Sequence, residues 1–145
     1  PGDARALIAV ALAGRAAEIQ EYGEASSGIS SDLALATNIA AQLVGKLGNG
    51  PGLLSLEAAA MPTAANLVAK VLADDASREA AEGFMTVGAD RAAEMVSTHR
   101  EALLEIADGL CINDELEGQT IKEIVAKYAD ITERRGPVRK APAAD

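Results

Sequence analysis

The sequence is poor in rings. Its 145 residues include no tryptophan, one phenylalanine and two tyrosines. A core without rings must fill its volume with Ala, Leu, Ile and Val, and alanine is abundant along the whole chain. Strands draw on β-branched and aromatic residues, whereas alanine is the strongest helix former and lets helices approach closely. A sheet-rich fold is therefore excluded, and an all-α bundle of about four to five helices is expected. A chain of this length buries about 68–70% of the surface it exposes when unfolded, enough for one domain with a core of its own. The domain is expected over 1–131, with a disordered tail rich in Pro, Ala and charge over 132–145.

Cysteine and histidine are nearly absent too. A single cysteine, Cys111, excludes an internal disulfide framework and fits a reducing compartment. With no histidine nearby, it reads as a small buried hydrophobe. A single histidine, His99 in "STHREAL", excludes a His-x-x-x-His pair on one helix face, so a solvated or half-buried helix residue is expected there. No run reaches the roughly 18 apolar residues of a membrane span; "ALIAVALAG" is too short and has charged neighbours. No basic segment precedes it, so it is not a secretory signal. The chain opens on Pro-Gly-Asp rather than Met, as expected of a product cut from a longer chain. No internal repeat is visible.

Positive charge is scarce outside the C-terminus. The net charge is −9, but residues 133–145 hold four basic and two acidic side chains, so the remainder sits at −11. Such a body repels nucleic acid and anionic lipid, which both need basic footprints. The run "RRGPVRK" lacks interleaved aromatics and reads as a solubilising tail.

What is present is helical periodicity. Residues 3–22 read as a first helix capped by Asp3, with Leu7, Ala11, Gly14 and Glu18 on one side and Ile8, Leu12, Arg15 and Ile19 beside them. Gly14 costs a helix about 1 kcal/mol against Ala, so close approach of another backbone is expected there. A Gly/Ser loop covers 23–31. A second helix covers 32–46, with Leu33, Ala36, Ala40, Leu43 and Leu47 as its buried stripe, and Ser30, Ser31 or Asp32 as its cap. "GKLGNGPG" stops it, and "LLSLE" is an extended segment or a buried turn. From Pro62, suited to a first helical turn, the pattern continues through Leu67, Val71 and Asp74 or Asp75. Gly83 and Gly88 are candidate breaks. The pattern then runs to Leu110, with Met95, Leu103, Ile106 and Leu110 facing inward. This long helix is expected to pack on the Leu33–Leu47 stripe. "CINDELEG" reads as a turn, and a last short helix uses Ile121, Ile124, Val125 and Tyr128.

Few stretches carry chemistry. A phosphate-binding loop needs GxxxxGK followed by Ser or Thr, but in "GKLGNGPG" the Lys precedes the glycines. Glu101, Glu105 and Asp108 recur at helical spacing, which marks a solvated face rather than an acid–base pair. Two carboxylates remain. Asp32 stands at a helix start, where capping and the helix dipole explain it. Glu18 reads as surface charge. By spacing alone neither is more than that.

Their contexts add to this. "LAGRAAEIQEYG" over 12–23, followed by "SSGISSDLALATNIAAQLV", resembles the FtsH family of ATP-dependent zinc metallopeptidases. Gly14, Arg15, Ala17 and Glu18 match the family's GRxAE stretch, and Ser30, Asp32, Leu33, Ala36 and Thr37 match its S-x-D-(L/I)-x-x-A-T stretch. "GKLGNGPGLL" is similar to its L-G-P-L-L turn, and "DRAAEMVSTHREALLEIADGL" and "ELEGQTIKEIV" are similar to its C-terminal helices. The resemblance spans most of 4–126 and is weakest over about 57–87. It implies a mainly helical, hexameric peptidase domain behind an ATP-driven unfolding ring. It implies a zinc held by the two histidines of an HExxH helix and by an aspartate that corresponds to Asp32. Glu18 then lies near the site and supports it, as a carboxylate behind a ligating imidazole does. Two neutral imidazoles and one carboxylate leave a position open for water.

The departures are specific. HExxH is absent; in the family it lies upstream of GRxAE. Ile19 stands where the family has a second Glu, the loop before Asp32 is shorter, and Ser31 replaces a common Asn. The resemblance thus implies the C-terminal part of a peptidase domain, inactive alone, within a parent that degrades unfolded or membrane-associated proteins. ATP would bind in an upstream domain. The parent is expected on the cytoplasmic side, anchored to a bacterial inner membrane only through upstream segments. The alternative is a non-catalytic helical assembly module derived from that domain. Without the HExxH helix, the first two helices should show an apolar patch open to self-association.

Overall fold

The computed structural model describes residues 2–57 and 66–135, with backbone alone for residues 2, 3 and 130–135. Among the described residues every regular element is helical: α1 (Gly2–Tyr22), a 3-10 turn (Ser27–Ile29), α2 (Ser30–Gly45), α3 (Leu67–Ala73), α4 (Asp75–Thr98), α5 (Arg100–Asn113) and α6 (Gly118–Arg135). The all-α expectation holds. The helix count is higher than expected because two continuous patterns are interrupted. The chain forms two compact units, Pro1–Glu94 and Met95–Asp145.

The first unit holds the main core. Ile8, Ala11 and Leu12 of α1 meet Ala36, Ala40, Ala41, Leu43 and Val44 of α2, with Val71 of α3 and Ala81 and Ala92 of α4. Alanine supplies more than half of it, as a ring-poor sequence requires. The stripe on α2 is buried only in its middle: Leu33 and Leu47 are 40% and 61% exposed. The helices packed along α2 are α1 and α3, which corrects the expectation that the long later helix would cover it. The α2–α3 approach depends on Gly45, where a Cβ would stand 2.8 Å from Val71 Cγ2 and 2.9 Å from Leu67 Cδ1.

Gly14 does not do what its position promised. It is exposed, and a Cβ there would meet nothing within 4 Å. The close approach to α1 occurs at Gly88, where a Cβ would collide with Ile8 Cγ2 and stand 3.2 Å from Ile8 Cβ. Periodicity marks a glycine as costly but does not say which face meets a neighbour.

The break between α3 and α4 falls at Asp74, and α4 runs unbroken through Gly83 and Gly88. Asp74 is extended, with φ −99° and ψ 117°, and its Oδ2 accepts from the Ser77 N–H at 2.9 Å. Hydrogen bonds from Ser77, side chain first, hold its carboxyl below the usual aspartate range. This capping geometry starts a new helix. Asn66 caps α3 in the same way through the Val68 N–H, at 2.9 Å. Pro62 lies outside the described residues. In the connection after α2, Gly48 takes φ +67°. Leu56 alone of "LLSLE" packs on the core, while Leu53 and Leu54 are largely exposed. The Leu56 carbonyl accepts from Lys70 Nζ at 3.1 Å, and its N–H donates to Gly45 O at 2.8 Å.

In the second unit, His99 leaves helical geometry (φ −107°, ψ 22°) and starts α5; it is half-buried, as expected. Ala102 is the buried residue of α5. Met95 and Leu110, expected inward, are 53% and 41% exposed, while Leu103 and Ile106 are half-buried. A helix pair can cover only the strip between its members. Cys111 sits in the last turn of α5 and is exposed, correcting its assignment as a buried hydrophobe. The helix extends to Asn113 and ends on Asp114, which is left-handed at φ 61°. On α6, Ile121, Ile124 and Tyr128 are half-buried and Val125 is 42% exposed. The helix continues to Arg135, past the boundary expected near Ile131; residues 136–145 lie outside the described residues.

Of the three acids expected on a solvated face, Glu101 and Asp108 are exposed. Glu105 instead ties α5 to α6. Its Oε2 accepts from Lys127 Nζ at 2.6 Å and from the Tyr128 hydroxyl at 2.7 Å. These donors, Lys127 first, hold the Glu105 carboxyl below the usual glutamate range, and the carboxylate raises both Lys127 and Tyr128.

Two outcomes follow from this packing. In urea denaturation, Gly14→Ala should stabilise the chain by up to about 1 kcal/mol, since it gains helix propensity in open space. Gly88→Val should destabilise it by about 1–3 kcal/mol through overpacking against Ile8; equal effects would contradict the assignment. The Glu105 contribution is fully present above the ordinary glutamate value of 4.5 and is lost as pH falls through the depressed folded value. Urea midpoints at about pH 6 and pH 3 should therefore differ less for Glu105→Gln than for the unaltered chain.

Candidate functional site

The segment joining α1 to α2 carries both candidate carboxylates. Glu18 is half-buried in the C-terminal half of α1. The negative end of a helix disfavours a carboxylate, so one placed there needs donors from elsewhere. Helix α1 stops at Gly23, which is left-handed (φ 82°) and donates its N–H to Ile19 O at 2.9 Å. The chain then turns back over Glu18. Ser26 donates its backbone N–H to Glu18 Oε2 at 2.6 Å and its hydroxyl to Glu18 Oε1 at 2.9 Å.

Ser26 also begins the next element. Its Oγ accepts from the Gly28 N–H at 3.3 Å and caps the 3-10 turn Ser27–Ile29. The Ser30 N–H bonds back to Ser27 O, so the 3-10 turn feeds directly into α2. Ile29 occupies the cap position of α2 in helical geometry (φ −79°, ψ −2°), with no side-chain cap. The expectation that Ser30, Ser31 or Asp32 caps the helix is thereby corrected: a continuous lead-in supplies what a cap would.

Asp32 lies in the first turn of α2 and is exposed. Among the described residues no hydrogen bond or ion pair engages its carboxylate. The positive end of α2 suits its charge. Of the other motif residues, Thr37 returns its hydroxyl to Leu33 O at 2.8 Å, Arg15 is exposed, and Ala36 is a core residue. Ile19, in the place of a second glutamate, is 37% exposed.

The sequence did not single out Ser26. The usable signal was the carboxylate at Glu18, late in a helix and followed by a Ser-rich turn. As a donor set, Asp32 offers an oxygen ligand with unshared lone pairs, which fits the carboxylate place in a two-histidine, one-carboxylate zinc site. Among the described residues no three His, Cys, Asp or Glu side chains gather to hold a metal ion. The two imidazoles would have to come from outside them.

Comparison with known proteins bears on this arrangement. The ATP-dependent zinc metalloprotease FtsH of Acidothermus cellulolyticus is 27% identical over 131 residues, a match that covers 85% of this chain and 20% of that protein. The chain thus spans about a fifth of the length of that curated relative. The model of peptidase family M41 matches residues 3–124, which include Glu18, Ser26 and Asp32. With most of its length matched, the chain belongs to peptidase family M41.

Proposed function

We propose that this chain is the helical C-terminal part of the peptidase domain of an ATP-dependent zinc metalloendopeptidase, and that Asp32 supplies the carboxylate ligand. The observation that carries the reading is the Asp32 carboxylate, exposed and unengaged among the described residues, at the first turn of a helix whose next turns are locked into the core. Ala36, Ala40 and Leu43 hold α2 in place from the turn after Asp32 onward.

Within this reading the two histidines and the general-base glutamate come from an HExxH helix outside the sequence. When bound, zinc would polarise the scissile carbonyl and lower the pKa of its water. Asp32 would be a ligand to the metal, and the positive N-terminal end of α2 suits its charge. The apolar residues open on the first two helices support an additional covering helix: Leu7 and Val10 of α1 are 55% and 71% exposed, and Leu33 and Leu35 of α2 are 40% and 52% exposed. The ATPase ring, the hexamer, unfolded or membrane-associated protein substrates and a bacterial inner-membrane anchor belong to the same reading. No helix among the described residues is long and apolar enough to cross a membrane, so an anchor would lie elsewhere.

Two results test this. The chain alone, supplied with zinc and casein, should release no peptides; zinc-dependent hydrolysis would contradict the reading. In the longer protein, Asp32→Ala should abolish stoichiometric zinc and ATP-dependent hydrolysis together. Full zinc content and activity in that variant would return Asp32 to a helix-dipole role and favour a non-catalytic assembly module.

A further inference from the structure

We infer that Ser26 is a positioning residue for Asp32, acting with Glu18 as a clamp on the turn between α1 and α2. The inference rests on Asp32 being a metal ligand, the reading given above. Its physical basis is how little of this stretch is buried: Ala25 and Ile29 are half-buried, and no residue from 23 to 35 is fully buried. Residues 30–35 are all exposed, and the first buried residue of α2 is Ala36. Full burial therefore begins one turn beyond Asp32. The helix has no side-chain cap, and the turn before it contains Gly23 and Gly28, which add no stiffness of their own. First turns that lack both a cap and packing fray.

The restraint that remains runs through hydrogen bonds. The core holds α1 through Ile8, Ala11 and Leu12. Glu18 projects from α1 and binds both donors of Ser26, at 2.6 and 2.9 Å. Ser26 caps the 3-10 turn through Gly28, and that turn passes into α2 through the Ser30–Ser27 backbone bond. Five residues separate Ser26 from Asp32, all of them in the 3-10 turn or α2. A slip at Ser26 would thus unwind the first turn and displace the Asp32 carboxylate. Charge-assisted bonds to a carboxylate are the stronger kind, and two from one residue fix direction as well as distance.

The clamp gives Glu18 a role distinct from that implied by the family resemblance. There Glu18 supports a ligating imidazole. Here each of its oxygens receives a hydrogen bond from Ser26, and its influence on the metal passes through the turn and Asp32.

The test uses Glu18→Ala, Ser26→Ala, Ser26→Thr and the Glu18→Ala/Ser26→Ala double variant. Amide hydrogen exchange is read on this chain, and zinc dissociation by chelator competition on the longer protein. Glu18→Ala and Ser26→Ala should each speed exchange over residues 27–33 while residues 40–44 keep their protection. Each should weaken zinc by about tenfold or more, the range seen when a ligand's support is removed. The double variant should be no worse than Glu18→Ala, because both changes break one device. Ser26→Thr, which keeps a hydroxyl, should restore both readouts. Weaker zinc in Glu18→Ala with Ser26→Ala unaffected would overturn the clamp and place Glu18 on an imidazole. Additive losses, or unchanged exchange over 27–33, would also overturn it. Asp32→Ala separates the two claims. If that variant keeps its zinc, the ligand reading fails; if it loses zinc while the Ser26 and Glu18 variants do not, the positioning role alone fails.

Discussion

Close approach of helix backbones through small side chains is the constraint on which the first unit depends. With almost no rings to fill space, α1, α2, α3 and α4 meet through alanine and glycine, and the separation of the helices is set at Gly45 and Gly88 rather than by large side chains. Such a core has little slack. A methyl added at either glycine must displace Val71, Leu67 or Ile8, and interiors packed at crystal-like density transmit that displacement. The same rigidity makes α1 and α2 fit to carry a site, because both are fixed along their buried faces.

The site uses this scaffold at its edge. Asp32 stands one turn before α2 enters the core, and Glu18 stands where α1 is leaving it. Neither carboxylate is buried, so neither carries the desolvation cost of an interior charge. A ligand on a frayed turn binds metal weakly because each binding event must first order the turn. In the proposed reading the Glu18–Ser26 bonds would reduce that cost by ordering the turn in advance, as a second layer of contacts does around metal ligands in general. The second unit follows a different principle. It buries little, and the Glu105 bridge to Lys127 and Tyr128 supplies a polar tie where apolar area is limited to the strip between two helices.

The sequence revealed the class of the fold and the identity of the stripe residues, because both follow from composition and period. Ala36, Ala40 and Leu43 are buried as their spacing requires, whereas Leu33 and Leu47 at the ends of the same stripe are not, since burial needs a neighbour and period does not say where neighbours end. Gly14 and Gly88 look alike in a string of letters, but only Gly88 faces another helix. The break at Asp74 was visible in principle as an acid three residues before a serine, yet it competed with two glycines that proved harmless. Asp32 and Glu18 were singled out through their motifs. Ser26 was not, because a bond spanning eight residues across a turn leaves no periodic trace.

The central claim is that Asp32 contributes an oxygen to a zinc centre completed by residues outside this sequence. X-ray absorption at the zinc edge of the longer protein tests it most directly. The account predicts a shell of two imidazole nitrogens with oxygens at about 2.0–2.2 Å, and an oxygen shell that changes when Asp32 becomes Ala. A metal shell built without carboxylate oxygen, or one that Asp32→Ala leaves untouched, would contradict it.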